Sequence, residues 1–186
     1  MHANTDTFHT DIDTALGRMT LAATPRGLAG AWFAGQRHYP PSTALGRRDD
    51  RHPTLQMAAQ QLQDFLAGTR QHFALPLDLD DGTPFQQSVW RALLQIPAGT
   101  TRSYTDIGAA IGKPAAVRAV GAAVGRNPVS IVVPCHRVVG SNGALTGYAG
   151  GLARKARLLA LETASRSPDN SAGFELQPPK GGTITA

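Results

Sequence analysis

The chain has 186 residues, of which 41% are hydrophobic and a single one is cysteine, and its formal net charge is +5. This length can bury one sizeable core or two small ones, whereas one cysteine excludes an internal disulfide and a zinc site made of several cysteines. No run approaches the roughly 18 apolar residues that span a membrane, and the N-terminus lacks the pattern of a secretory signal, so we expect a soluble, cytoplasmic protein.

The charge is unevenly distributed along the chain. Residues 1–82 carry 7 Lys/Arg and 9 Asp/Glu, residues 83–162 carry 9 and 2, and residues 163–186 carry 2 and 2. The net charges of these parts are therefore −2, +7 and 0. A strongly basic part is typical of proteins that bind a polyanion such as nucleic acid, although an ordinary solvated surface can have the same composition.

Residues 1–82 have the patterns of an N-terminal α/β module with a small antiparallel sheet. Apolar residues at every second position flank the turn sequence TPRG and predict a β-hairpin, formed by Met19, Leu21, Ala23 and residues 28–33. Residues 72–80 predict one further strand, which leads to a domain boundary near residue 82.

A loop and a helix separate the hairpin from this last strand. The Pro, Gly and charge content of residues 34–53 predicts a loop, and apolar residues at helical spacing from Leu55 to Leu66 predict a helix that ends at Gly68. The histidines of this module have no metal-ligand spacing, so we expect surface or packing roles for His2, His9, His38, His52 and His72.

Residues 83–163 are predicted to form a second, mostly helical domain. Thr83 and Gln86 have the spacing of a capping box, and Pro84 occupies the first helical position. These residues predict a helix that starts at Pro84 and ends before Pro97.

A helix-turn-helix pattern follows. Ser103 and Asp106 form another capping box, and a short turn at Gly112 and Lys113 precedes a second helix that starts at Pro114. Many DNA-binding proteins have this pattern, but short helix pairs with a glycine turn also occur in unrelated folds, so the pattern alone leaves both interpretations open.

The second helix of this pattern has an unusual composition. At 100° per residue its buried stripe comprises Val117, Val120, Gly121 and Val124. The opposite, exposed face comprises Ala115, Arg118, Ala119, Ala122 and Arg126. Alanine favours helices, so this face could simply pack on another element. Alternatively, the small side chains would let the helix backbone approach DNA closely, and Arg118 would be the one long side chain able to reach the base stack.

The choice of groove is not determined by this helix alone. A helix about 10 Å wide enters a minor groove about 6 Å wide only if its side chains are small and the groove opens. Helix-turn-helix motifs dock more commonly in the major groove.

The single thiol lies at the end of a predicted strand. The β-branched run of residues 130–134 predicts a short buried strand, which places Cys135 just past its end. A free cysteine is often only a small buried hydrophobe. The adjacent His136 instead favours a reactive thiol, because a neighbouring histidine promotes loss of the thiol proton. Adjacent residues cooperate only if the backbone turns there or a water bridges them.

Three motifs between Gly82 and Glu162 together resemble a known family, the O6-alkylguanine-DNA alkyltransferases. These are GTPFQQSVW, IPAGTTRSYTDIGAAIGKPAAVRAVGAAVGRNP and PCHRV, in that order. The resemblance implies an α+β fold, with an N-terminal α/β module (1–82) and a mostly helical, DNA-binding alkyltransferase domain (83–163) that carries a short strand with the reactive cysteine. The Pro, Gly and Ser content of residues 164–186 predicts a disordered tail.

The resemblance implies repair of DNA in one irreversible turnover without a cofactor. Cys135 would take the alkyl group from O6 of guanine, with O4-methylthymine as a further possible substrate. His136 would act as a base through a water, and Glu162 would hold its other ring nitrogen, as in a catalytic triad. Asn127 matches the family's hinge asparagine, and Tyr104 matches the tyrosine that donates to N3 of the base.

The resemblance also implies how double-stranded DNA binds. Arg118 matches the arginine that replaces the flipped nucleotide, and its alanine-faced helix enters the minor groove. Backbone carbonyls of Cys135 and Val138 would accept from the guanine amino group, and Tyr148 would wall the pocket. Ala149 stands where some members have serine, so only its backbone N–H could contribute.

The resemblance and the single cysteine also predict which sites and partners the protein lacks. Without a second cysteine we expect no zinc site and no self-induced regulatory role, and we expect a monomer with no membrane and no obligate protein partner. Two other classes remain as alternatives: a non-catalytic helix-turn-helix DNA binder, and a cysteine hydrolase, for which the sequence shows no oxyanion site.

Overall fold

The computed structural model describes residues 6–165, and its N-terminal part contains a four-stranded sheet. The strands are β1 (Phe8–Ile12), β2 (Met19–Thr24), β3 (Gly27–Phe33) and β4 (Arg47–Arg48), in the order β3-β2-β1-β4. The predicted hairpin is confirmed as β2 and β3, which pair antiparallel. The sheet is mixed rather than antiparallel, because β4 pairs parallel with β1.

The strand predicted over residues 72–80 is wrong. Only a single bridge, Leu28 to Leu77, joins this segment to β3. The N–H of Leu28 donates to the Pro76 carbonyl at 2.8 Å, and the N–H of Asp78 donates back to Leu28 at 2.9 Å. Pro76 has no N–H to offer, which limits the ladder.

The helix predicted after the loop is confirmed as α1 (Pro53–Leu66). Its apolar stripe is buried against the inner face of the sheet, where Met19, Leu21 and Phe33 are fully buried. The helix ends before Gly68, whose φ of 77° suits a glycine after a helix end.

Four helices and a small sheet form the C-terminal part: α2 (Pro84–Leu93), α3 (Tyr104–Ala110), α4 (Val117–Gly125), α5 (Leu152–Ala164), and the parallel strands β5 (Arg102–Ser103) and β6 (Val138–Val139). Both predicted capping boxes are present, at Thr83–Gln86 and Ser103–Asp106. The α3 and α4 pair forms the predicted helix-turn-helix.

The start of α4 differs from the prediction. The Ala116 N–H donates to the Lys113 carbonyl at 2.9 Å, so Pro114 lies in a closed turn and the helix starts at Val117. Of the predicted buried stripe, Val120 and Val124 are buried, whereas Val117 is 37% exposed and Gly121 is half-buried. Val117 is exposed because it occupies the first turn of α4; Ala123 is buried instead.

One continuous hydrophobic core joins the two parts of the chain. The backbone of Ala31 in β3 donates to Pro128 and accepts from Ser130, both at 2.9 Å. The Trp90 indole of α2 donates to the Ala123 carbonyl of α4 at 2.9 Å. The segment that leads to Cys135 is therefore attached to the N-terminal sheet on one side and to the helices on the other.

No helix within residues 6–165 combines the length and apolar character needed to cross a membrane. Within the same residues, no three His, Cys, Asp or Glu side chains are grouped so that they could hold a metal ion. Ala164, predicted as the first residue of the tail, is the last residue of α5. Residues 166–186 of the predicted tail lie outside the described residues.

Candidate active site

The strand predicted over residues 130–134 is wrong, because this segment forms a tight turn. Val133 donates its N–H back to Val129 at 2.9 Å. Ile131 has a φ of 73°, a left-handed conformation that β-branched residues rarely adopt. Local β propensity is overridden here by side-chain hydrogen bonds from Asn127. Cys135 then begins a single 3-10 turn, Cys135–Arg137, so the backbone turns where cooperation between Cys135 and His136 requires it.

Asn127 connects α4 to the turn and to the thiol. Its Nδ2 donates to the Val133 carbonyl at 2.8 Å and contacts Cys135 Sγ at 3.0 Å, and its Oδ1 accepts from the Val129 N–H at 3.0 Å. The side chain is 4% exposed. The sequence placed Asn127 between helix and thiol, and the structure adds the bonds that fold the turn.

Burial dominates the ionisation of Cys135. The residue is 4% exposed. Burial raises the pKa of its thiol to about 11, and the hydrogen bond from Asn127 and the charge of Lys155 offset only part of this. In the resting protein burial therefore determines the pKa of the thiol, and the role of His136 in removing the thiol proton stays a prediction. At neutral pH Cys135 is a protonated thiol whose proton must leave during the reaction.

His136 and Glu162 form a buried pair. His136 Nε2 lies 2.8 Å from Glu162 Oε1, and His136 is fully buried. Burial lowers the pKa of His136, although Glu162 opposes this, so the imidazole is neutral at pH 7. With the proton on Nε2, facing the carboxylate, Nδ1 holds a lone pair. Among the described residues Nδ1 is buried and has no protein hydrogen-bond partner.

The Glu162 carboxylate is held by more than the histidine. Burial by itself would raise its pKa, but hydrogen bonds from His136 and Arg137 outweigh burial and lower the pKa to about 2. Arg137 Nη2 and Nε donate to the carboxylate at 2.8 and 3.1 Å, and the Gly99 N–H donates at 2.9 Å. Arg137 was not predicted, although a charged residue in the apolar run VVPCHRVV was a usable signal.

Lys155 is a second buried charge that the sequence reasoning missed. It is fully buried, and its Nζ donates to the carbonyls of Val138 at 2.5 Å and Thr146 at 2.6 Å. Burial lowers the pKa of Lys155, while the nearby Cys135 opposes this effect. The Val138 carbonyl, predicted to accept from guanine, thus already accepts one hydrogen bond and has one lone pair left. Lys155 and Glu162 share the buried stripe of α5 with Leu158.

A cavity of about 670 Å³ brings several predicted residues together. Its lining includes Tyr104, Ala122, Arg126, Tyr148 and Ala149. The Tyr104 hydroxyl donates to the Thr146 carbonyl at 3.3 Å. Burial raises the pKa of Tyr148 well above its usual value, and Cys135 lies close enough to contribute to this shift. Arg37 and His38 of the N-terminal module also line the cavity, which the sequence did not indicate.

The predicted exposed face of the second helix is confirmed as exposed. It comprises Ala115, Arg118, Ala119, Ala122 and Arg126. Ala115 precedes α4, in the turn that includes Pro114. The face therefore combines small side chains with two arginines, and its C-terminal end, at Ala122 and Arg126, borders the cavity.

Comparison with known proteins gives consistent matches. Residues 84–164 match the family model of the 6-O-methylguanine DNA methyltransferase, DNA binding domain. The constitutive methylated-DNA–protein-cysteine methyltransferase of Bacillus subtilis (strain 168) is 47% identical over 161 residues, which cover 85% of this chain and 96% of the relative. The methylated-DNA–protein-cysteine methyltransferase of Mycobacterium tuberculosis (strain H37Rv) is 46% identical over 164 residues, covering 88% and 96%.

Solved structures show the same similarity. A crystal structure of Mycobacterium tuberculosis O6-methylguanine methyltransferase has a TM-score of 0.78 and 45% identity, and covers 88% of this chain and 96% of that one. The structure of Mycobacterium tuberculosis OGT in complex with DNA has a TM-score of 0.77 and 44% identity, with coverage of 87% and 96%.

Proposed function

The chain belongs to the methylated-DNA–protein-cysteine methyltransferase family, and from this premise we propose that it repairs double-stranded DNA by taking the alkyl group of O6-alkylguanine onto Cys135. The observation that carries the proposal is the arrangement of one buried thiol, hydrogen-bonded by Asn127 at 3.0 Å, beside a neutral histidine paired with Glu162. The reaction occurs once per molecule, because the thioether product has no route back to a thiol.

In the proposed mechanism the side chains of the site and the guanine itself carry the proton and the electron pair that move during the transfer, so no cofactor takes part. The thiol proton passes through a water to Nδ1 of His136, and Glu162 stabilises the imidazolium that forms. Sγ attacks the alkyl carbon in line as the carbon–O6 bond breaks, and its electron pair remains on the guanine. The Tyr104 hydroxyl donates a hydrogen bond to N3 of the base and so stabilises the charge that develops there. The proton on His136 then returns to the departing guanine.

The exposed face of α4 binds the DNA. Its alanines let the helix backbone approach the minor groove, and Arg118 takes the place of the guanine that rotates into the cavity. The remaining lone pair of the Val138 carbonyl and the carbonyl of Cys135 accept from the guanine amino group, and Tyr148 covers the base. The backbone N–H of Ala149 is the one donor left at that position.

We also propose that the protein is a monomer that needs no obligate protein partner. The measurement is sedimentation of the free protein and of its complex with a short duplex. Two protein copies on a duplex that fits only one would contradict the proposal.

The test of the reaction is the intact mass of the protein after incubation with an O6-methylguanine duplex. Wild-type protein is expected to gain one methyl group, which peptide mapping places on Cys135. The matched variant Cys135→Ser is expected to gain nothing and to keep its affinity for undamaged duplex. An unmodified wild-type protein that still binds DNA would instead identify a non-catalytic binder, and turnover of an ester would identify a hydrolase.

A further inference from the structure

The loop that walls the cavity is attached to the N-terminal module. We call residues 146–151 the substrate loop, because Tyr148 and Ala149 on it line the cavity. The Gly151 N–H donates to the Tyr148 carbonyl at 2.9 Å, which closes a turn inside the loop. The Ala149 carbonyl accepts from the Arg37 N–H at 3.1 Å, which connects the loop to the segment after β3.

Arg154, in the first turn of α5, contacts both the module and the loop. Its Nε donates to the Leu16 carbonyl, between β1 and β2, at 2.7 Å, and its Nη1 donates to the Gly150 carbonyl at 2.8 Å. The guanidinium carbon lies 4.5 Å from the centre of the Phe33 ring, at the end of β3. One side chain thus joins two points of the N-terminal module to the substrate loop.

Close packing at two glycines restricts the conformations that Arg154 and the substrate loop can adopt. A Cβ on Gly150 would lie 2.9 Å from the Phe33 ring and 2.8 Å from the Tyr148 ring, so the loop backbone packs tightly against both aromatics. A Cβ on Gly17 would lie 3.0 Å from Arg154 Nη2. Glycine at both positions permits the close approach that the planar, five-donor guanidinium needs to reach two carbonyls and a ring face.

We propose that Arg154 is a positioning residue, which holds the substrate loop against the N-terminal module and thereby keeps Tyr148 in place over the alkylated base. The inference rests on the proposed function. It assigns the N-terminal module a part in binding the base, although Cys135, His136 and Glu162 all lie outside that module. Arg154 itself touches neither the thiol nor the triad in the residues described.

The experiment compares two reactions of Cys135 in folded protein. Free O6-benzylguanine must be held in the cavity beneath Tyr148, whereas methyl methanethiosulfonate needs only access to Cys135 and loss of the thiol proton. In Arg154→Met, which keeps the apolar stem but loses the donors, the rate constant with O6-benzylguanine is expected to fall about ten-fold, while the rate constant with methyl methanethiosulfonate is unchanged or rises. Arg154→Lys, with one donor group, is expected to restore part of the lost rate.

Arg157→Met is the matched control, because Arg157 lies on the same helix and is exposed. It makes the same change in charge and is expected to react like wild type with both reagents. Equal O6-benzylguanine rate constants for Arg154→Met and Arg157→Met would overturn the inference, as would parallel losses with both reagents. If wild-type protein itself takes no alkyl group from O6-methylguanine duplex or from O6-benzylguanine, the proposed function fails, independently of Arg154.

Discussion

At Cys135 and His136, burial favours the neutral form of both side chains. It raises the pKa of the thiol to about 11 and lowers the pKa of the imidazole. The site at rest therefore holds a thiol and a neutral base rather than a thiolate and an imidazolium. A buried thiol is protected from adventitious oxidation and metal binding. In the proposed mechanism it becomes nucleophilic only when a substrate is in place and its proton can reach His136.

This protonation state predicts the pH dependence of alkyl transfer. An ordinary exposed thiol ionises near pH 8.5, so a reaction that needs a preformed thiolate would accelerate through that range. Here the single-turnover rate constant is expected to be constant between about pH 7 and pH 9, because His136 is already neutral and Cys135 is still protonated. Since the pKa of His136 is lowered, the acid limb should lie below its ordinary value of 6.5.

Quenched-flow measurement with an O6-methylguanine duplex gives this profile. The variant Glu162→Gln, which removes the carboxylate that stabilises the imidazolium, should lower the plateau. A wild-type rate constant that rises steadily from pH 7 to pH 9 would show that the thiol ionises before the base binds.

Truncation of Asn127 to alanine is expected to lower the stability of the protein considerably. Asn127→Ala leaves the buried Val129 N–H without its acceptor and removes one of two hydrogen bonds from the Val133 carbonyl, which still accepts from the Cys135 N–H at 2.8 Å. The unsatisfied N–H costs about 1–3 kcal/mol and the lost hydrogen bond about 0.5–1.5 kcal/mol, so the free energy of unfolding should fall by roughly 2–4 kcal/mol. Urea unfolding measures it, with Asn142→Ala as the control, because Asn142 is exposed and accepts one bond from Ala144. A loss below about 0.5 kcal/mol would mean that the turn folds without Asn127.

At the scale of the element, α4 has one buried face and one exposed face. Val120, Ala123 and Val124 attach it to the core, and the opposite face holds small residues with Arg118. α4 leads directly to Asn127, whose side chain bonds the turn before Cys135, so a displacement of α4 would be transmitted to that turn.

Substitution of Arg118 is expected to slow the reaction with one substrate far more than the reaction with another. Arg118→Ala should slow repair of O6-methylguanine in duplex DNA by about 100-fold, because extrusion of a paired base costs a few kcal/mol. Reaction with free O6-benzylguanine, which requires no extrusion, should change less than about two-fold. Arg157→Ala controls for the lost charge. Equal losses on both substrates would show that Arg118 does not replace the flipped base.

At the scale of the whole molecule, the main hydrophobic core makes the chemistry and the stability interdependent, because it includes the reactive thiol. Cys135 belongs to the same hydrophobic cluster as the sheet, α2 and α4. A methyl group added at a residue that is 4% exposed must displace its neighbours. Overpacking of this kind costs about 1–3 kcal/mol, and the displacement falls first on the bond between Sγ and Asn127.

Methylated protein should therefore melt at a lower temperature than unreacted protein, by roughly 5 °C. Calorimetry of the two forms, freed of DNA, provides the measurement. Cys135→Ala, taken through the same incubation with methylated duplex, should show no shift. A methylated form that melts at or above the temperature of the unreacted form would mean that the thiol lies in a roomier cleft than its burial indicates.

Features that depend on neighbouring residues were predictable from the sequence. The capping boxes at Thr83 and Ser103, the β2–β3 hairpin and the exposed alanine face of α4 all follow from residue spacing within one short stretch of the sequence. Local hydrogen bonds and periodicity determine these features, so no knowledge of the rest of the chain is required. The PCHRV motif, with the surrounding pattern, likewise sufficed to identify the family and the candidate nucleophile.

Features that depend on contacts between distant segments of the chain could be determined only from the tertiary structure. The turn before Cys135 replaces a predicted strand because Asn127 binds its carbonyls, and the thiol pKa of about 11 results from burial by the whole fold. Arg137 reaches Glu162 from 25 positions away, and Arg154 reaches Leu16 from 138 positions away. Burial and long-range hydrogen bonds depend on which segments meet in space, and propensity and periodicity within one element carry no information about such meetings.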